Sequence, residues 1–263
     1  MIAPKTAPTI PPWRTAWITG ASSGIGQALA IALARRGVKV AASARSEVKL
    51  SKIASQHPSI APLPVDVTDL AAMAEASRSI TNTLGPIDLA VFNAGIWEAM
   101  SARNFSAAKA ARSMAVNYHG IVNGIEAVLP IMLERRAGHI GLVASVAGYR
   151  GLGPTAAYGP SKAAVINLAE TLKNNLAMRG VTISLINPGY VDTPMTHGNP
   201  FTMPFMVSAE DAARRILRGL EKGKFEIAFP WQLVLLMKLA RLMPNGLFFW
   251  YARRVLAPQR KST

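Results

Sequence analysis

The passage from Arg14 to Arg36 constrains this chain most. Arg14-Thr-Ala-Trp-Ile-Thr19 is a short run suited to a buried strand. It leads into Gly20-Ala-Ser22-Ser23-Gly24-Ile25-Gly26, and Gln27 to Arg36 continues at helical spacing. Strand, glycine-rich turn and helix in that order leave few folds open. Gly20 permits a tight turn, Gly24 lets backbone approach a pyrophosphate, and Gly26 allows close helix packing, with the helix amino end facing the phosphates.

The same alternation continues along the chain. Val38 to Ser43 reads as a second strand ending at Ala44-Arg45, and Leu63 to Thr68 as a third, followed by a helix over 70–84. Ile87 to Phe92 is a fourth strand ending at Asn93-Ala94-Gly95. A long helical stretch over 105–135 is interrupted around Tyr118-His119-Gly120. Gly138 to Ala144 is a fifth strand that delivers Ser145, and Thr182 to Ile186 a sixth, followed by Asn187-Pro188-Gly189. Ser208 caps an amphipathic helix reaching Lys222, and Phe225 to Phe229 closes the sheet. Strands alternating with helices predict an α/β class: a Rossmann-like, doubly wound parallel sheet in three αβα layers with right-handed crossovers. A single domain is expected, with residues 1–12 as a lead-in, 13–230 as the nucleotide-binding catalytic domain, and 231–263 as a helical substrate or interface segment.

Several polar residues fall at strand carboxyl ends, where open parallel sheets collect ligands. Tyr158 and Lys162 lie four apart at the start of a helical run, so they share a face. A phenol has a reference pKa of about 10, and a neighbouring ammonium favours its phenolate, so this pair is suited to moving a proton. Pro160 between them fits only a first helical turn, which places the helix start near Tyr158. Asp66 either meets an adenine amino group or caps the next helix. Asn117 sits inside a helical stretch, where Asn is unfavourable, and marks either a structural hydrogen bond or a functional kink. The second strand ends without an acidic residue and with Arg45. An acid there meets the ribose hydroxyls of NAD, whereas an arginine accommodates a 2′-phosphate, so NADP(H) is expected as cofactor with NAD(H) as the alternative.

The formal charge is +15, from 29 Lys and Arg against 14 Asp and Glu. Such a balance draws anions, but the basic pairs are dispersed along the chain, so a solvated basic surface is expected and no nucleic-acid partner. With no cysteine, disulfides, thiolate nucleophiles and cysteine-bound metals are excluded. His57, His119, His139 and His197 are scattered, and no metal site is expected. The proline-rich first twelve residues lack the apolar stretch of a secretory signal, and a cytoplasmic protein is expected.

Together, Thr19-Gly-Ala-Ser-Ser-Gly-Ile-Gly26, Asp66-Val67, Asn93-Ala94-Gly95, Asn117, Ser145, Tyr158-x-x-x-Lys162 and Pro188-Gly189 with Thr193 resemble the short-chain dehydrogenase/reductase family, in its compact single-domain branch, over roughly residues 14–195. The resemblance implies that Tyr158 is the general acid or base, that Ser145 polarises the carbonyl oxygen, and that Lys162 holds the nicotinamide ribose and lowers the tyrosine pKa. Asn117 would hold a water that relays protons from Lys162. The cofactor contacts implied are Gly20, Ser22, Ser23, Gly24, Ile25, Gly26, Arg45, Asp66, Val67, Asn93, Ala94, Gly95, Tyr158, Lys162, Pro188, Gly189, Val191 and Thr193. A homodimer or homotetramer is implied in the same way.

Beyond Thr193 the stretch 194–206 is rich in Met, Phe and Pro and reads as an apolar lid or as core filling. Trp231 to Met243 is strongly apolar, yet it falls short of the roughly 20 residues a spanning helix needs. With Leu247 to Tyr251 and the cations Arg253, Arg254, Arg260 and Lys261, it suits a pocket wall, a subunit interface or a membrane surface. The leading expectation is an NADPH-dependent reductase of an apolar ketone or aldehyde. The alternatives are a secondary-alcohol dehydrogenase running oxidatively and a nucleotide-binding regulator or scaffold without turnover.

Overall fold

A computed structural model of the chain describes residues 12–197 and 202–255. Residues 1–11 of the expected lead-in, the middle of the expected lid at 198–201, and Arg260 with Lys261 lie outside the described residues.

The strands β1 (Thr15–Thr19), β2 (Lys39–Ala44), β3 (Ile60–Pro64), β4 (Leu89–Phe92), β5 (Gly138–Val143), β6 (Val181–Pro188) and β9 (Glu226–Phe229) form one sheet in the order β3-β2-β1-β4-β5-β6-β9. Every pairing in it is parallel. Parallel sheets are covered on both faces, and all five residues of β1 are accordingly buried. One face carries α1 (Gly24–Ala34), α2 (Glu47–Gln56) and α7 (Ala209–Glu221), which contribute Leu29, Leu33, Leu50, Ile53, Ala212 and Ile216 to its core. The other carries α3 (Leu70–Thr83), α5 (Gly120–Arg135) and α6 (Tyr158–Ala177), with Met73, Ile80, Val128, Met132, Val165 and Ala169 packed beneath them. This is the expected three-layer, doubly wound single domain. The strand order reverses between β1 and β4, so the crevice above their carboxyl ends is where a ligand fits.

Most expected elements fall within a residue or two of their predicted limits. The third strand is displaced: it runs over Ile60–Pro64, and Asp66 lies beyond its end. Pro62 and Pro64 sit in this strand because β3 is at the sheet edge, where a missing backbone N–H removes no interior ladder bond. Asp66 does not cap the following helix; Asp69 does, accepting from the Ala72 amide at 2.9 Å. Two residues, Val191–Asp192 (β7), pair in parallel with Val207–Ser208 (β8), pinning both ends of the expected lid. Ser208 caps α7 as expected, accepting from the Asp211 amide at 3.1 Å. After β9 come α8 (Trp231–Leu242) and α9 (Asn245–Val255). Leu233 and Met237 of α8 join the core beneath α6.

The long helical stretch is broken as expected. The helix α4 (Ala107–Met114) passes through one wide π-type turn over Ala115–His119 before α5 begins. Such single-turn bulges recur at functional sites, and Asn117 lies within this one.

Packing of α5 on the sheet depends on Gly124. A Cβ there would lie 2.3 Å from Cε1 of Phe92, whose buried ring stands edge-on to Trp17 at 5.8 Å between centroids. Gly124→Val is expected to destabilise the protein by about 1–3 kcal/mol, read as a lowered Tm in thermal unfolding. An unchanged Tm would mean that the Phe92 ring has room to yield.

Candidate active site

The first turn of α1 is held open by the residues before it. Gly20 and Gly24 take left-handed backbone angles, φ +67° and +55°, which side-chain-bearing residues adopt only with strain. At Gly26 a Cβ would come within 2.4 Å of the Gly20 carbonyl and 2.5 Å of Asn93 Nδ2, so only glycine lets the helix approach. Ser23 stands at the N-cap but makes no capping bond, and no acidic residue occupies the first turn. The first-turn amides and the positive helix end therefore face the cleft, a cradle that fits a pyrophosphate.

The turn after β4 is stapled to this loop. Thr19 Oγ1 accepts from the amides of Asn93 and Ala94 at 3.0 and 3.1 Å, and Asn93 Nδ2 donates to the carbonyls of Thr19 and Gly20 at 3.0 and 3.3 Å. Asn93 thus shapes the cleft from within the protein. Across the loop, Thr193 Cγ2 would lie 2.9 Å from a Cβ at Gly24, so the segment after β7 closes over the glycine turn.

Asn117 is fully buried and works as a clamp. Its Oδ1 accepts from the Ile96 amide at 2.8 Å, while Nδ2 donates to the Ile96 carbonyl at 3.0 Å and to Ser161 Oγ at 2.9 Å. Ser161 donates in turn to the Tyr158 carbonyl at 2.7 Å. The side chain expected to hold a water has both amide donors engaged, which leaves it one oxygen lone pair. The structural reading of Asn117, a hydrogen-bonded amide inside a helical stretch, is seen directly, and Ile96, which it clamps, adjoins Gly95. A Cβ at Gly95 would meet Asn117 Oδ1 at 3.2 Å and Lys162 Nζ at 3.6 Å.

Pro160 sits in the first turn of α6, and Tyr158 and Lys162 share a face as expected. Lys162 is 3% exposed; its Nζ donates to the Val143 carbonyl at 2.8 Å and lies 5.7 Å from the centre of the Tyr158 ring. Burial pushes the ammonium down to about 8. The Tyr158 phenol is pushed up to about 12 by burial, and a hydrogen bond with the Ser145 side chain pulls the other way. Loss of water around the hydroxyl is the larger of these two effects. Ser145 Oγ accepts from the Ala147 amide at 3.2 Å and donates weakly to the Pro188 carbonyl at 3.4 Å.

These groups meet in one cleft of about 660 Å³. Of the expected residues, Gly20, Ser22, Ser23, Gly24, Ile25, Arg45, Val67, Asn93, Ala94, Gly95, Ser145, Tyr158, Lys162, Pro188, Gly189, Val191 and Thr193 line it. Gly26 and Asn117 stand behind the lining, and Asp66 is outside it. The Asp66 carboxylate accepts from the Thr68 amide and hydroxyl at 2.9 and 2.8 Å, and the backbone bond first of all holds it below the ordinary carboxylate range. The buried neighbour Val67 lines the cleft instead, its carbonyl accepting from Asn123 Nδ2 at 2.9 Å. Lys49 is not singled out in the sequence, whereas a pocket wall is among the roles expected there of the segment 231–243. Lys49 borders the cleft beside Arg45, its amide donating to the Ser46 cap at 3.4 Å. Leu233 and Met237 of α8 form part of the wall. A serine followed three positions later by lysine is the signal that points to Lys49.

The family model for short chain dehydrogenases matches residues 14–202. The chain belongs to the short-chain dehydrogenase/reductase family. Its membership makes it an NAD(P)-dependent oxidoreductase. It is 38% identical over 247 residues to an uncharacterized oxidoreductase of Myxococcus xanthus, covering 92% of this chain and 98% of that one. It is 33% identical over 208 residues to another from Staphylococcus epidermidis, covering 79% and 90%. Among solved structures it is similar to a short chain dehydrogenase of Burkholderia cenocepacia in complex with NADP, with TM-score 0.80 and 27% identity over 94% of this chain and 98% of that one. A family member from Burkholderia phymatum in complex with NAD gives TM-score 0.80 and 25% identity over 87% and 92%.

Burial of Lys162 gives the fold a pH signature. Its folded pKa lies near 8 against 10.5 for the free group, so between those values the unfolded chain binds more protons and stability rises with pH; below about 8 the penalty is constant. Relative to Lys162→Met, the wild type is expected to gain on the order of 2 kcal/mol between about pH 7.5 and pH 10. Urea unfolding of the two proteins at both pH values reads this, and a pH-independent difference would contradict the burial of the charge.

Proposed function

We propose that the protein is an NADPH-dependent carbonyl reductase whose substrate is an apolar ketone or aldehyde. The observation that carries this reading is the convergence of Tyr158, Ser145 and Lys162 on one wall of the cleft that the glycine turn opens into. The bound dinucleotide supplies the hydride. The protein's task is then to handle the negative charge that grows on the carbonyl oxygen.

Ser145 and Tyr158 are the donors available to that oxygen. The Ala147 amide fixes Ser145 Oγ, and the 3.4 Å bond to Pro188 is weak enough for the hydroxyl to turn toward a substrate. Tyr158, kept protonated by burial, gives its phenol proton to the oxygen. The phenolate left behind is favoured by the Lys162 ammonium, which the Val143 carbonyl orients. Asn117 positions this set through Ile96 and Ser161. Its free Oδ1 lone pair is the place for the proton-relaying water.

The preference for NADPH rests on the end of β2. Ala44 offers no acid to the ribose, and Arg45, with Lys49 of the next helical turn, brings two cations to the cleft rim. The apolar substrate follows from Trp97, Leu152, Met195, Leu233 and Met237 in the lining. Solved family members in complex with NADP and with NAD are both similar to this chain, so the choice rests on these residues.

Tyr158→Phe is expected to lower turnover of an apolar ketone by about 10²–10⁴-fold while NADPH affinity, read by tryptophan-to-nicotinamide fluorescence transfer, stays near wild type. Retained turnover would remove Tyr158 from its role. In the same titration Arg45→Ala should weaken NADPH far more than NADH, and equal losses would remove the 2′-phosphate contact.

A further inference from the structure

The helices α8 and α9 present an apolar surface that the fold does not use. Along α8, Trp231, Leu235, Leu239 and Leu242 recur at helical spacing on one face and are 67, 51, 52 and 80% exposed. The opposite face is spent on the protein: Leu233 and Met237 are buried and border the catalytic cleft. The second helix repeats the arrangement. Phe248 is buried, with Arg150 stacked 4.3 Å over its ring and bonded to Asn245 Oδ1 at 2.7 Å, whereas Phe249 and Trp250 are half exposed. Exposed aliphatic and aromatic side chains gathered on two successive helices in this way mark an interaction site.

We infer that this α8–α9 face docks onto an anionic lipid surface. Charge decides the occupant. Every charged residue after Glu226 is basic: Lys238, Arg241, Arg253, Arg254, Arg260 and Lys261, with no Asp or Glu. Among those described, Arg254 stacks 4.3 Å over the Trp250 ring, so cation and aromatic are presented together. Two copies of such a face would bring like charges together. A layer of acidic headgroups over acyl chains complements both its charge and its apolar side chains, with Trp and Tyr at headgroup level. Among the described residues no helix is long and apolar enough to cross a membrane, so the face lies on the bilayer. Because the inner side of α8 lines the cleft, docking sets the substrate wall next to the lipid. Docking itself does not depend on which substrate is reduced.

The test is co-flotation of the full-length protein with vesicles of phosphatidylcholine alone and with one-third phosphatidylglycerol, beside Leu235→Ser/Leu239→Ser/Leu242→Ser and Arg253→Gln/Arg254→Gln. These side chains are exposed, and an unchanged Tm with unchanged NADPH binding certifies each variant as folded. The expected result is at least tenfold tighter binding to the acidic vesicles and at least a tenfold loss in each variant. Absence of flotation overturns the inference. Flotation that the serine variant retains assigns binding to the overall charge, and also overturns it. An oligomer in analytical ultracentrifugation that the serine variant dissolves, with vesicles ignored, gives the face to a second copy.

Discussion

A lysine ammonium withdrawn from water needs its donors satisfied and its surroundings fixed, and Lys162 imposes that demand on the structure around it. Among the described residues no carboxylate pairs with it; the Val143 carbonyl at the end of β5 accepts a hydrogen bond from it. Beside it, a Cβ at Gly95 would crowd Asn117 Oδ1 at 3.2 Å, and the loop carrying Gly95 is fixed by the clamp of Asn117 on Ile96. That clamp sits in the wide turn between α4 and α5, and Asn117 also reaches α6 through Ser161. Thus β4, β5, the wide turn and α6 are brought to register around one cation. The hydrogen-bonding capacity left on the ammonium faces the cleft, where ligand hydroxyls and a nascent phenolate would be met.

The sequence makes legible whatever chemistry ties to local spacing. Gly20, Gly24 and Gly26 are read from the turn they permit, and Tyr158 and Lys162 from one helical turn. Ser145, Asn93 and Pro188 follow from their positions at strand ends, so the sheet and most of the cleft lining can be traced before coordinates exist. What hides depends on contacts between distant residues. The third strand is read too late in the chain, because Pro62 and Pro64 are tolerated at its true place, Ile60–Pro64, only by virtue of the sheet edge. The partners of Asn117 lie 21 and 44 positions away. The burial that raises the Tyr158 phenol is likewise invisible in the sequence, where only its neighbour Lys162 can be read.

A second buried polar group connects the chemistry to the carboxyl end of the chain. Tyr149 follows the short turn that begins at Ser145, and its hydroxyl donates to Glu226 of β9 while accepting from Asn187 Nδ2 at 3.0 Å. Asn187 also donates to Glu226 at 3.1 Å, and the other oxygen of that carboxylate accepts from Lys238 on α8. Burial raises the Tyr149 phenol well above its usual range, so it remains a hydrogen donor at every ordinary pH. These groups form a strut from α8 through β9 to Asn187, beside Pro188, whose carbonyl accepts from the Ser145 hydroxyl.

This strut changes how the two parts of the chain relate. The matched family region ends at residue 202 and contains the proposed proton-handling groups, yet the ground under Ser145 is braced by Glu226 and Lys238 beyond it. The same helix supplies Leu233 and Met237 to the cleft. A sequence can therefore keep every residue from the glycine turn to Thr193 and still differ in what its cleft admits, because α8 supplies part of the wall. Beyond the matched region, an apolar, basic helix pair holds the site on one side and leaves its other side exposed.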